Sequence, residues 1–326
     1  MRPELDLRLV RAFVAVAEEL HFTRAANRLY VAQQALSRDI RRLESQIGAR
    51  LFARSTRRVT LTADGERFLV HARSLLALND AALKELRGAA RPLLVDVIGE
   101  SLTAARIVDA ARLAAPQFEF TVRYGGGMGA ALPQLLAGRL DVAFGRTEGL
   151  GLSFPAELTR RLVRYEPLAL LILAGHPLAA LVDVPLESLR GMEIDASSGN
   201  EDAPEWVDLA VSLLEAFGAR PSAPHPHVIG TSETARHLQS HGLPILTMSE
   251  CPAVPGAVIR PLVEPVPVYP WAIVHRGDAK YPELATLGSV VTELAGKEGW
   301  LKAPEGAWLP SADARWSSRP WTQVAS

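Results

Sequence analysis

The sequence predicts an α+β multidomain chain: a winged helix-turn-helix at the N-terminus, a long linker helix, and a C-terminal α/β domain of two lobes. Three observations predict it. Apolar residues recur at helical spacing through residues 6–47 and give way to two short strand signals around a basic tip. A long helical stretch then carries apolar residues at alternating steps of three and four. From Leu93 onward strands and helices alternate, the pattern of a sheet covered by helices.

A chain of 326 residues exceeds one ordinary domain and predicts two or three. Hydrophobic residues at 48% and charged residues at 22% argue against disorder. No apolar run approaches the ~18 residues that span a bilayer. Met1-Arg2-Pro3-Glu4-Leu5-Asp6 carries no signal-peptide pattern. The single cysteine, Cys251, permits neither an intramolecular disulfide nor a multi-cysteine metal site. The expectation is a soluble cytoplasmic protein with no membrane partner.

In chain order, Val10, Phe13, Val16 and Leu20 predict a helix over 6–20 behind an Asp6 cap. Thr23 is expected to cap a short helix reaching Leu29, with Ala25, Ala26 and Leu29 inward. A turn at Tyr30-Val31-Ala32 leads into a third helix, Gln33 to Ile47, with Leu36, Ile40, Leu43 and Ile47 on one face and Gly48 ending it. Leu51-Phe52 and Val59-Thr60-Leu61 flank the basic loop Arg54-Ser55-Thr56-Arg57-Arg58, which reads as a wing. Thr62 caps the linker helix, which runs to about Arg87. Its Leu69, Ala72, Leu76, Asn79, Leu83 and Leu86 form a narrow seam, read as a dimer contact. Gly88-Ala89-Ala90-Arg91-Pro92 reads as a hinge.

Beyond it, strands are expected at 93–98, 118–124, 141–145, 168–174 and 243–248, in a largely parallel sheet. Helices are expected at 103–114, around Leu132–Leu136, at Trp206–Phe217 and around Leu284–Leu294. The resulting division is 1–61 head, 62–88 linker helix, 89–92 hinge, 93–301 α/β domain, and 302–326 tail. Lobe I takes about 93–163 and 268–297, and lobe II about 164–267. The tail carries Trp308, Trp316 and Trp321 without periodicity and reads as weakly ordered.

The net charge of −1 conceals an asymmetry. Residues 1–60 hold twelve Arg, no Lys and six acidic residues, a net of +6. Residues 92–326 hold 18 basic and 26 acidic residues, a net of −8. A basic head on an acidic body directs only the head toward a polyanion.

The informative stretch runs from Phe22 to Ile40. The third helix places Gln33, Gln34, Ser37 and Arg38 on one outer face while Leu36, Ile40 and Leu43 turn inward. A helix fits the major groove, where glutamine pairs bidentately with adenine and arginine with guanine. Thr23 and Arg24 open a helix whose free N–H groups favour a phosphate. Arg54, Arg57 and Arg58 on the wing can reach the backbone or the minor groove. A polar helical face is more often only a solvated surface. The combination of helix-turn-helix, basic wing, seam and hinge is rarer than any part.

Phe22-Thr23-Arg24-Ala25-Ala26, Gln33-x-Ala35-Leu36-Ser37-Arg38-x-Ile40-x-x-Leu43-Glu44, Gly48-x-x-Leu51-Phe52-x-Arg54 and Leu61-Thr62-x-x-Gly65 together resemble the N-terminal signature of LysR-type transcriptional regulators. The resemblance covers residues 5–65 closely. Leu135 to Ala143, Pro167 to Pro177 and Leu186-x-x-Leu189 extend it to about residue 300, weakly over 190–260. Two positions depart from the pattern. Ala32 and Gln34 stand where the family commonly has Ser and Pro, which removes a hydroxyl cap worth roughly 1 kcal/mol and adds a base-reading amide.

The resemblance implies sequence-specific binding of double-stranded DNA through Thr23, Gln33, Ser37, Arg38 and Arg54. It implies a C-terminal domain like a periplasmic binding protein, holding a small-molecule effector between its lobes, with no cofactor. It implies a homodimer through the linker helix and a homotetramer, and leaves RNA polymerase open as a further partner. Strand ends and helix starts nominate Ser101, Thr103, Gly127, Met128, Ser197, Ser198, Asn200, Thr231 and Ser232 as effector contacts. Each is equally readable as a helix cap.

Two rivals stand beside this reading. An enzyme is disfavoured, since no Gly-x-Ser-x-Gly elbow, phosphate loop or dinucleotide fingerprint is present. His237 and His241 lie four apart, but no acidic residue between them completes a metalloprotease motif, and His225-Pro226-His227 falls in a Pro-rich loop, so no metal site is expected. Cys251 lacks a second cysteine to resolve an oxidised form and reads as an incidental thiol. A DNA-organising protein without an effector is the second rival.

Overall fold

The computed structural model describes residues 5–54, 59–86, 92–99, 102–197, 203–225, 228 and 230–313. Arg57, Arg58, Ser101, Ser198, Asn200, most of the hinge, and Trp316 and Trp321 lie outside the described residues. The chain forms two compact units, Met1–Ala90 and Arg91–Ser326, the four residues Leu136–Arg139 grouping with the first.

The first unit contains α1 (Leu7–Glu19), α2 (Phe22–Arg28), α3 (Gln33–Ile47), the hairpin strands β1 (Phe52–Arg54) and β2 (Val59–Leu61), and α4 (Ala63–Leu86). Asp6 caps α1, its carboxylate accepting from the Arg8 amide at 2.8 Å. Leu9, Phe13, Val16, Leu36, Ile40, Leu43 and Leu51 are essentially solvent-free and form one core. Phe13 packs at a tilt against Phe52 and Phe68, with centroids at 5.3 and 5.1 Å, tying the hairpin and α4 to α1.

Thr62 caps α4 as expected. Its hydroxyl accepts from the Gly65 amide at 3.0 Å and donates to the Arg50 carbonyl at 2.7 Å. Gly65 is required there, because a Cβ at this position collides with the backbone carbonyl of Leu51.

Of the linker seam, the side chains of Leu83 and Leu86 lie outside the described residues. Ala72 is fully buried, and Leu69 and Leu76 pack on the core of their own unit. Among the described side chains of α4, the exposed large apolar ones are Val70, Leu75 and Leu78. A 3.5-residue period marks an apolar stripe without saying what covers it.

The second unit follows in order: β3 (Leu93–Asp96), α5 (Thr103–Ala114), β4 (Phe120–Arg123), α6 (Met128–Leu136), β5 (Val142–Gly145), β6 (Leu158–Leu173), β7 (Val184–Pro185), β8 (Glu193–Ile194), α7 (Pro204–Ala216), β9 (Arg220–Pro221), α8 (Thr231–His241), β10 (Ile245–Met248), β11 (Ala257–Val263), β12 (Val268–Arg276) and α9 (Pro282–Glu298). Strand order is β4-β3-β5-β12-β6-β11-β7, with β10 also on β6, and β8 pairs separately with β9.

The 16-residue β6 is the spine. Its residues 158–167 pair with β12, and 168–173 lie between β10 and β11. The two lobes are thus strung on one strand. The sheet is mixed, not largely parallel: β3 runs parallel to β4 and β5, whereas β12, β10 and β11 run antiparallel to β6.

The tail also departs from expectation as far as residue 313. Trp308 exchanges backbone hydrogen bonds with Val266 and Val268 and packs on Phe217 at 6.3 Å. Asp313 is buried against Arg146. Among the described residues no helix is long and apolar enough to cross a membrane.

Gly65→Ala should lower the unfolding free energy of the chain by about 1–3 kcal/mol, the usual range for an overpacked contact. Urea unfolding followed by circular dichroism measures it. An unchanged midpoint would mean that α4 starts differently.

Candidate nucleic-acid interface and effector domain

The outer face of α3 is positioned entirely by its inner face. Leu36, Ile40 and Leu43 anchor it, each at most 1% exposed. A bidentate pair between Arg8 on α1 and Asp39 on α3, at 3.0 and 3.3 Å, adds a minor, solvent-screened contact. Glu44 receives the amides of Leu51 and Phe52 at 2.9 and 3.2 Å, so the end of α3 sets where the hairpin begins.

On that frame Gln33, Gln34 and Arg38 are exposed and Ser37 is half-buried. None of these four side chains forms a hydrogen bond or ion pair among the described residues. Ala32 starts α3 with no side-chain cap. The helix therefore presents two free amides, a hydroxyl and a guanidinium on its N-terminal half.

The start of α2 differs from the sequence reading. His21, not Thr23, is the cap, its Nδ1 accepting from the Arg24 amide at 3.4 Å, and Thr23 lies exposed inside the first turn. Arg24 is held by Glu19, donating to its carboxylate at 3.2 Å and to its carbonyl at 2.5 Å. Arg28 pairs with Glu18 at 2.9 Å. The cations of α2 are thus already matched by α1, unlike Arg38 of α3. Arg54 closes β1 at the base of the wing. Tyr30, 97% exposed in the left-handed turn before α3, was not singled out from the sequence. Its φ of 54 marks the sharp turn, for which the sequence offers no glycine signal.

In the second unit the nominated effector residues that are described meet different surroundings. Thr103 is fully buried at the start of α5. Its hydroxyl donates to Glu166 at 2.7 Å and accepts from Arg164 at 2.9 Å. Trp271 donates to the same Glu166 oxygen at 2.6 Å. Burial raises the Glu166 pKa, opposed by the charge of Arg164 and these hydrogen bonds. The Thr103 hydroxyl is committed to holding that carboxylate.

The N-terminus of α6 is also occupied from within. Glu205, fully buried in the first turn of α7, accepts from the amides of Met128 at 2.6 Å and Gly129 at 3.3 Å. Gly127 is required for this approach, since its φ is +146 and a Cβ would collide with Ala203 and Glu205. A carboxylate thus sits where a helix N-terminus favours an anion, and the chain supplies it itself. Burial raises the Glu205 pKa, while the two amides and Arg146 oppose the rise. Arg146, with no solvent exposure, anchors α7 alongside, donating to the Glu205 carbonyl and to Asp208, both at 2.7 Å, and to Asp313.

Ser197, Thr231 and Ser232 remain. Ser197 is half-buried beyond β8, and its amide donates to Asp195 at 2.8 Å. Thr231 and Ser232 open α8 and are exposed. Cys251 is half-buried, and burial raises its thiol pKa, which opposes a reactive thiolate.

A winged helix-turn-helix followed by a long helix and a two-lobed α/β domain defines a class of two-unit DNA-binding proteins. Residues 7–66 match the bacterial regulatory helix-turn-helix protein, lysR family, and residues 95–292 match the LysR substrate binding domain. The chain belongs to the LysR family.

It is 38% identical over 192 residues to the uncharacterized HTH-type transcriptional regulator YnfL of Escherichia coli (strain K12), an alignment covering 57% of this chain and 63% of YnfL. Among solved structures it resembles full-length BenM with a TM-score of 0.53 at 26% identity, over 92% of this chain and 100% of BenM. It shares its fold with CbnR, solved in complex with that protein's target DNA, at a TM-score of 0.61 and 22% identity, over 89% and 99% of the two chains. The chain spans about three-fifths of the length of the first curated relatives it matches, 63% of YnfL and 61% of BudR from Raoultella terrigena.

Glu205→Ala should destabilise the second unit by about 1–3 kcal/mol, because the buried Met128 amide and the half-buried Gly129 amide lose their acceptor. A raised carboxyl pKa in the folded state means that stability is lost as pH rises through it. Glu205→Gln should therefore gain stability relative to the wild type as pH increases from below the ordinary glutamate value toward neutral. Thermal melts across that range measure the difference, and a pH-independent difference would contradict the assignment.

Proposed function

We propose that this chain is a transcriptional regulator that reads specific double-stranded DNA with the outer face of α3 and responds to a small molecule bound by its second unit. The observation that carries the reading is the contrast between α2 and α3. Arg24 and Arg28 are neutralised by Glu19 and Glu18, whereas Gln33, Gln34, Ser37 and Arg38 have no partner within the chain. Polar groups kept free on a rigid helix at a basic surface fit major-groove recognition. Thr23, Arg54, Arg57 and Arg58 are assigned to the phosphate backbone or the minor groove. The wider pairing of the curated relatives with HTH-type transcriptional regulation supports the same reading.

The regulator works as a dimer through α4, with Val70, Leu75 and Leu78 as the contact, and as a tetramer through the second units. It acts in the cytoplasm and performs no catalysis. Ser197, Thr231 and Ser232, with Ser101, Ser198 and Asn200, are the effector contacts. An anionic effector at Gly127 and Met128 must displace Glu205 from the α6 amides. Such a ligand biases DNA binding only if it prefers one lobe arrangement over another.

Duplexes enriched from a random pool supply the specific site for fluorescence anisotropy. Gln33→Ala should weaken that duplex by roughly 1–3 kcal/mol and leave unrelated duplex unchanged. Arg57→Ala and Arg58→Ala should weaken both alike and reduce the log–log salt slope by about 0.9 each. Equal losses on both duplexes for Gln33→Ala would remove it from base reading. Val70→Asp with Leu78→Asp should convert the dimer to a monomer by light scattering, and an unchanged mass would exclude this face of α4.

A further inference from the structure

Three side chains of the second unit converge at a point that the regulator reading does not use. Asp195 lies immediately beyond β8 and is buried, its side chain 3% exposed. One carboxylate oxygen faces His225 Nε2 at 2.9 Å and the other faces His237 Nε2 at 2.8 Å. His225 comes from the loop after β9, and His237 from α8. The two rings lie 4.4 Å apart, and one ligand atom from each of the three residues falls within 4.8 Å of the others.

We propose that Asp195, His225 and His237 form a binding site for a divalent transition-metal ion of the zinc class, with a fourth position open to water or another ligand. The donor set is two imidazole nitrogens and one carboxylate oxygen. That set suits Zn²⁺ and its first-row neighbours, whereas Mg²⁺ and Ca²⁺ take oxygen ligands. Three protein ligands and an open position form the usual incomplete zinc shell.

The surroundings support the assignment independently of the distances. A buried carboxylate is normally matched by a permanent cation or a metal. Arg146 pairs with buried Asp313, Arg164 with Glu166 and Arg123 with Asp96, but among the described residues Asp195 forms ion pairs with the two histidines alone. Its position is fixed from the backbone. The Asp195 amide donates to Pro244, its carbonyl accepts from Leu246, and its carboxylate receives the Ser197 amide at 2.8 Å. Tetrahedral ligands with bonds near 2.0–2.1 Å stand roughly 3.3 Å apart. The gap between the ligating carboxylate oxygen and its facing nitrogen therefore opens by about half an ångström on metal entry.

His241 is the internal control. It is exposed, stacks on His237 at 4.3 Å, and directs Nδ1 at the His237 carbonyl at 3.1 Å. The sequence offers His237 and His241 as a surface pair four residues apart. The structure pairs His237 with Asp195 and His225 instead.

The test uses the full chain after chelation and removal of metal, titrated with Co²⁺ and then Zn²⁺. One Co²⁺ per chain should give the visible absorption of a low-symmetry four-coordinate site, Zn²⁺ should displace it, and Zn²⁺ should raise the melting temperature. His225→Gln and His237→Gln should each weaken Zn²⁺ by at least about 100-fold, beyond the loss typical of an outer-shell partner. His241→Gln should bind like the wild type. Melting curves of the metal-free variants establish that they fold. If His237→Gln does not fold, the loop variant His225→Gln carries the comparison. The proposal is overturned if the wild type gives no such absorption, if His225→Gln binds undiminished, or if His241→Gln loses as much as His237→Gln, which marks a surface chelate.

Discussion

Everything the head can do depends on how α3 is gripped. Leu36, Ile40 and Leu43 are driven into the core made by Leu9, Phe13 and Val16, each burial contributing about 1.5–3 kcal/mol. That grip fixes the rotation of the helix about its own axis. With the apolar stripe turned inward, Gln33, Gln34, Ser37 and Arg38 must face outward, and they do so without internal partners. Rigidity here matters because bidentate pairing with a base edge tolerates little angular error. Glu44 and Thr62 extend the same frame, one placing the hairpin and the other the start of α4.

The second unit rests on a different constraint, the burial of charge. β6 passes through both lobes, and residues brought in around it include Arg146, Arg164, Glu166, Asp195 and Glu205, all largely removed from water. Each must be matched, and the matching joins elements far apart in sequence. Glu205 of α7 closes the α6 N-terminus, Glu166 of β6 takes Thr103 of α5, and Asp195 takes two histidines. A buried charge that loses its partner costs several kcal/mol, so these contacts hold the joined elements together.

Much of this was legible in the sequence where periodicity sets the outcome. The spacing of Leu36, Ile40 and Leu43 located the core face of α3, and Thr62 located the start of α4. Periodicity marked the stripe of α4 but not what covers it, and Leu69, Ala72 and Leu76 pack on the core of their own unit. The first half of β6 was hidden because Thr159-Arg160-Arg161 and Pro167 break an apolar run, although pairing with β12 holds them in a strand. Glu205 follows Glu201, Asp202 and Pro204 and reads as an exposed helix start, yet it is the cap of another helix. Asp195, His225 and His237 are separated by 30 and 42 residues from the carboxylate outward, so no local motif joins them. Asp313 lay in a stretch without periodicity, and its fixing comes from Arg146 alone among its described ion-pair partners.

The claim that α3 reads base edges is tested most directly on duplexes recovered from a random pool by repeated binding to the full chain, then probed by guanine N7 methylation interference. The expected result is one enriched sequence with interference in two patches, spaced by about 10–10.5 base pairs or a multiple, as two recognition helices on one face of the duplex demand. A pool that never converges, or a converged site where major-groove methylation leaves binding intact, would contradict the account.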